Sequence, residues 1–177
     1  MGLVFSFSSP SVTVLSMSSE SQHYDFAKQM LASKDYFERS TGVLDEADSV
    51  FRPREGMMTV AQQVAHTAQT LDWFIEGVAR PEGFDLDFEK QVKALDGVTS
   101  LAAARQMLET AYANAIHFFR SRSPEDLARP LPPGPIMAGL PISDIVWAMI
   151  DHTAHHRGAL TVYSRELGKV PPMPYGG

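Results

Sequence analysis

His152 and His156 lie four residues apart in the run Asp151-His152-Thr153-Ala154-His155-His156-Arg157-Gly158. On a helix both imidazoles would leave the same face, one turn above the other, which is the geometry of a two-histidine metal clamp. Ile145, Met149, Leu160, Tyr163 and Leu167 fall in the same helical sector, so the pair interrupts an apolar stripe that should face a core. Buried imidazoles need partners for their ring nitrogens, and two at one level imply a shared polar object: a metal, a carboxylate or trapped water. The plain alternative is a pair of core histidines bonded to neighbouring side chains. His155 projects about 80° and Asp151 about 120° from the stripe. Solvent exposure, or support of the ligands from behind, suits them and the adjacent Arg157.

A catalytic divalent ion commonly takes three protein ligands and keeps further positions open. The remaining candidates are His23, His66, His117 or a carboxylate. His66 sits in a strongly capped helical segment but shares a face with Gln62, Thr70 and Trp73, away from the Val64/Leu71/Ile75 stripe. That placement fits a pocket or a surface, and the pattern alone does not choose among the candidates.

The elements that must position these residues are helical. Residues 22–40 carry Phe26, Met30 and Phe37 at helical spacing. Thr59-Val60-Ala61-Gln62 fits a capping box at the head of a second helix that runs towards Pro81. An alanine-rich third segment covers 99–120, and a fourth covers 142–167 before Gly168 and Pro171-Pro172. Four long helices with no alternating strand predict an all-α four-helix bundle. The connections 41–58, 81–98 and 121–141 are long enough to cross it, and the last is a stiff proline-rich wrap.

At 177 residues, 44 % hydrophobic and 20 % charged, the chain has the size and composition of one globular domain. A net charge of −6 and the lack of a basic, aromatic-interleaved run argue against a nucleic-acid partner. No stretch reaches membrane-spanning length. The absence of cysteine rules out disulfides and thiolate catalysis by the chain, leaves nitrogen and oxygen as metal ligands, and fits a cytoplasmic setting. Residues 1–20 are serine-rich and lack the basic start of a secretory signal. They read as a loose N-terminal extension, with Met17 as an alternative start, ahead of a domain over 21–177.

Three mechanisms fail on their motifs. Thr153, not glutamate, follows His152, so the metalloprotease His-Glu-x-x-His helix is absent. There is no Gly-x-Ser-x-Gly elbow, and no pair of Glu-x-x-His motifs for a di-iron centre.

Taken together, His66 in a second helix, His152-x-x-x-His156-Arg157-Gly158 in a fourth, then Tyr163, Leu167-Gly168 and a proline-rich close resemble the DinB/YfiT-like superfamily from about residue 24 onward. The resemblance implies a four-helix bundle with long crossover connections, a metal site formed by His66, His152 and His156, and frequent homodimers. It also implies transferases or isomerases that use low-molecular-weight thiols. Ala159 stands where the family often has glutamine.

Three neutral imidazoles leave a divalent ion its full charge, which suits hydrolysis or thiolate transfer. All-imidazole ligation fits zinc, nickel, iron and copper alike. The sequence therefore predicts a metal-dependent enzyme of the thiol S-transferase or hydrolase type acting on a small-molecule substrate. The alternative is a non-catalytic metal-binding or small-molecule-sensing bundle. Arg157, Arg165 and Lys169 read as solvated helix charge, with contact to an anionic substrate as the alternative. Trp73 and Trp147 read as core, with pocket lining as the alternative.

Overall fold

A computed structural model describes residues 25–176. His23 and the expected extension over 1–20 lie outside them. The order of elements is α1 (Phe26–Thr41), α2 (Val60–Ala79), the short α3 (Phe88–Lys93), α4 (Leu101–Arg120), the short α5 (Pro124–Ala128) and α6 (Ile145–Glu166). No strand occurs among the described residues.

Local chemistry sets the helix ends. Asp25 caps α1 by accepting from the Lys28 N–H at 2.9 Å. Thr59 and Gln62 form the anticipated capping box of α2, and Ser100 caps α4 through the Ala103 N–H at 3.1 Å. α6 begins later than the expected Ile142, because residues Ile142–Asp144 form a tighter 3₁₀ turn after Pro141. It ends where Gly168 adopts φ +74°, a left-handed cap that glycine takes without steric cost.

α1 packs on α4 and α6, and α2 packs on the same two. Going round the bundle, the order is α1, α4, α2, α6. Consecutive helices α1 and α2 therefore occupy one diagonal, and α4 and α6 the other. This explains two of the long connections, 41–58 and 121–141, since a chain crossing a diagonal needs more length than one turning to a neighbour, whereas 81–98 joins the neighbours α2 and α4. The proline-rich crossing is ordered by its own backbone, with Leu131 N–H donating to the Leu140 carbonyl at 2.8 Å and Ile142 N–H to that of Arg129 at 2.9 Å. Buried alanines on α2 (Ala61, Ala65, Ala68) and α4 (Ala104, Ala111, Ala115) let these two backbones approach closely. No helix of the described residues is long and apolar enough to cross a membrane.

Segment 81–98 is strapped along α2 by three side chains that donate to its carbonyls. Gln62 reaches Leu95 at 3.1 Å, Gln69 reaches Gln91 at 3.0 Å and Trp73 reaches Asp85 at 2.8 Å. Phe84 anchors the near end of the segment, its ring lying over Gly77 so closely that a Cβ there would stand 2.2 Å from Phe84 Cδ1. Helix propensity alone favours Gly77→Ala by about 1 kcal/mol. We expect the opposite sign, a loss of about 1–3 kcal/mol in urea denaturation, because the added methyl must push Phe84 off Trp73 and Phe74.

Candidate metal centre

α2 and α6 are neighbours in the bundle, and their facing sides bring His66 against His152 and His156. Ring centroids are 5.1 Å apart for His66 and His152, 4.9 Å for His66 and His156, and 4.4 Å for His152 and His156. One nitrogen from each ring lies within 4.8 Å of the others. Nε2 of His152 and Nε2 of His156 are 3.2 Å apart. Two nitrogens each about 2.1 Å from one ion stand at about that separation. Of the other candidate third ligands, His117 is exposed on α4, where it borders Leu31 and Lys34 of α1.

The hydrogen bonds behind the rings fix which nitrogens converge. Tyr163 donates its hydroxyl to the Met58 carbonyl at 3.1 Å, and Gln63 Nε2 donates to the Tyr163 oxygen at 3.3 Å. Gln63 Oε1 is thereby turned towards His156 Nδ1, with which it forms a close hydrogen bond. As an acceptor, it requires a proton on Nδ1 and leaves the His156 Nε2 lone pair for the centre. Gln69 repeats the device: its Nε2 is committed to the Gln91 carbonyl, so its Oε1 accepts from His66 Nδ1 at 3.3 Å and the His66 Nε2 lone pair is freed. Thr70 Oγ1 lies 3.4 Å from His152 Nε2. Gln63 and Gln69, bonded to the ring nitrogens turned away from the centre, are partners of the kind that orient metal-binding histidines and raise their basicity.

Burial keeps the rings neutral. It is the main reason that His152 is pushed down to about 4 and His156 to about 3, with the neighbouring imidazoles adding to the effect. His66 is lowered by burial too, with Gln69 opposing the shift. Only neutral imidazole ligates a metal, so at neutral pH the three rings are in the binding form and the donor set fits a divalent ion.

The residues flanking the α6 pair are placed differently. Asp151 is exposed and acts on His152 through its charge. His155, also exposed, sets its ring edge-on to that of His156 at 5.0 Å. Arg157 lies over the Tyr36 ring at 5.9 Å. Arg165 donates to the Thr161 carbonyl of its own helix, and Lys169 pairs with Asp45 and Asp48. The hydrogen-bonding partners of the imidazoles come instead from α2, and sequence reasoning missed Gln63 and Gln69. Their signal was present: they stand three residues before and three after His66, on neighbouring turns of one helix.

No curated protein matches the sequence significantly. Among solved structures the chain is similar to YfiT from Bacillus subtilis, described as a probable metal-dependent hydrolase with an unusual four-helix bundle topology. The TM-score is 0.64 at 15 % identity, over 81 % of this chain and 86 % of that one. A family model for the DinB superfamily matches residues 29–160, and with that span covering most of the bundle, this chain belongs to the DinB superfamily.

Proposed function

We propose that this protein is a divalent-metal-dependent enzyme in which His66, His152 and His156 hold the ion and leave positions open for a small-molecule substrate. The observation that carries this reading is the convergence of three neutral imidazoles, two of them locked by glutamines with Nε2 facing inward. A zinc, nickel or iron ion held there would supply Lewis acidity to a bound water or thiol. The chain's own part is to aim the ligands and to keep them unprotonated. Because the protein has no cysteine, a thiol nucleophile would have to be a small molecule, as in low-molecular-weight-thiol S-transfer. Hydrolysis is the second reading, favoured by the description of the YfiT structure.

The test is metal analysis by mass spectrometry on protein made without a polyhistidine tag, followed by two assays on the loaded protein: consumption of cysteine in the presence of monochlorobimane, and hydrolysis of p-nitrophenyl acetate. Near-stoichiometric metal, lost in folded His66→Ala, His152→Ala and His156→Ala, together with metal-dependent turnover in one assay, is the expected result. Metal retained without His66 sinks the ligand assignment. Stoichiometric metal with turnover in neither assay favours a non-catalytic metal-binding or sensing bundle.

A further inference from the structure

Arg157 directly follows His156, but its side chain leaves α6 about 100° further round the helix and enters the seam between α6 and α1. There its guanidinium lies over the Tyr36 ring at 5.9 Å. Arg157 is half-buried, yet among the described residues none of its N–H donors has a hydrogen bond and no carboxylate pairs with it. The two carboxylates within the facing helix α1 are committed elsewhere, Asp35 to Arg39 at 2.9 Å and Glu38 to Lys34 at 2.9 Å.

The same seam holds a cavity of about 290 Å³. We propose that it binds a small aromatic carboxylate, with the carboxylate on Arg157 and the ring against the apolar wall.

The charge of the occupant follows from the donor set. Arg157 is the one charged side chain among the described residues that line the cavity, so a cation would be repelled and a single negative charge would be matched. A guanidinium presents a planar fork of N–H groups that fits the two oxygens of a carboxylate. Tyr36 covers one face of that fork and takes none of its in-plane donors, which leaves them for a ligand.

The body of the occupant follows from the walls and the volume. Ile150 and Ala154 of α6 supply aliphatic surface. Tyr36 and Tyr175 supply aromatic surface, their rings set edge-on at 5.0 Å. The volume stands at the lower end of the range for small-molecule sites, which suits one ring and excludes an extended chain. The hydroxyl of Ser33, which also lines the cavity, is engaged with that of Tyr112 at 3.1 Å. None of the three clustered imidazoles is on this wall, so the site is separate from the candidate metal centre and does not depend on metal.

NMR titration of the chelator-treated, ¹⁵N-labelled protein with benzoate, read at the Arg157 Nε–H resonance and at the backbone amides of Ile150 and Ala154, tests this. Benzyl alcohol, which lacks the charge, and acetate, which lacks the ring, are the comparison probes. We expect saturable benzoate binding at least tenfold tighter than that of either. Arg157→Gln, read at the backbone amides, should reduce benzoate to the level of benzyl alcohol. Ala32→Phe, which fills the cavity from a half-buried position on α1, should remove binding with the fold intact by circular dichroism. No saturable benzoate binding, a comparison probe that binds as tightly as benzoate, or unchanged binding in Arg157→Gln overturns the proposal.

Discussion

Zinc at a hundredfold excess over its dissociation constant is expected to stabilise the folded protein by about 2.7 kcal/mol, since the converged triad exists only in the folded chain. For a domain of this size that increment moves the thermal midpoint up by about 5–10 °C. His152 and His156 supply two of the three ligands from one helix, so His152→Ala or His156→Ala should abolish the increment. Gln63→Leu is the more discriminating variant. It leaves all three ligands in place but removes the acceptor that holds the proton on His156 Nδ1. Loss of such a partner typically weakens metal binding ten- to a hundredfold. At the same zinc concentration, Gln63→Leu should therefore retain a smaller increment, reduced by about 1.4 kcal/mol or more. Differential scanning fluorimetry with and without chelator reads all of these. A zinc shift that persists in His156→Ala would show that the ion sits elsewhere.

The parts of this centre were unequally legible in the sequence. The α6 pair was readable because a four-residue spacing is local, and the stripe through Ile145, Met149, Leu160 and Tyr163 does face the core. His66 was not readable by periodicity. It lies off the Val64/Leu71 stripe because α2 packs against both α4 and α6, and a single apolar stripe does not describe both contacts. Which helices are neighbours is decided by the diagonal crossings, and no residue pattern within a helix reports that. Resemblance to a family supplied His66 where the wheel could not. The link from Gln63 to Tyr163 joins residues a hundred positions apart and became visible only once α2 and α6 were side by side. Helices α3 and α5, six and five residues long, are too short to show a helical period. Gly77 looks like a helix defect in sequence and is explained by Phe84, which reaches it from the next segment.

Acid should destabilise the chelated protein in a window that identifies the buried histidines. His152 and His156 titrate near 4 and 3 in the folded chain, against an ordinary value of 6.5. Between those values the unfolded chain binds protons that the folded chain refuses, so stability is full above pH 6.5 and declines as pH falls towards 4, with each refused proton contributing about 1.4 kcal/mol per pH unit. Carboxylates lowered in the fold, Asp45, Asp85 and Glu46, start from 3.8, 3.8 and 4.5, so their loss comes only below about pH 4.5. Urea denaturation at pH 7, 6 and 5 therefore isolates the imidazoles, and His156→Gln, which keeps a donor for Gln63, should flatten the decline. Stability unchanged from pH 7 to 5 would contradict the burial argument. The same burial makes the opposite forecast for metal binding by the folded protein. An exposed histidine pair must shed protons to bind zinc below pH 6.5, whereas His152 and His156 are already neutral there. Zinc affinity should thus stay nearly level from pH 7 to about 5.5, and a surface-like fall over that interval would mean that solvent, not the bundle core, sets the protonation of this centre.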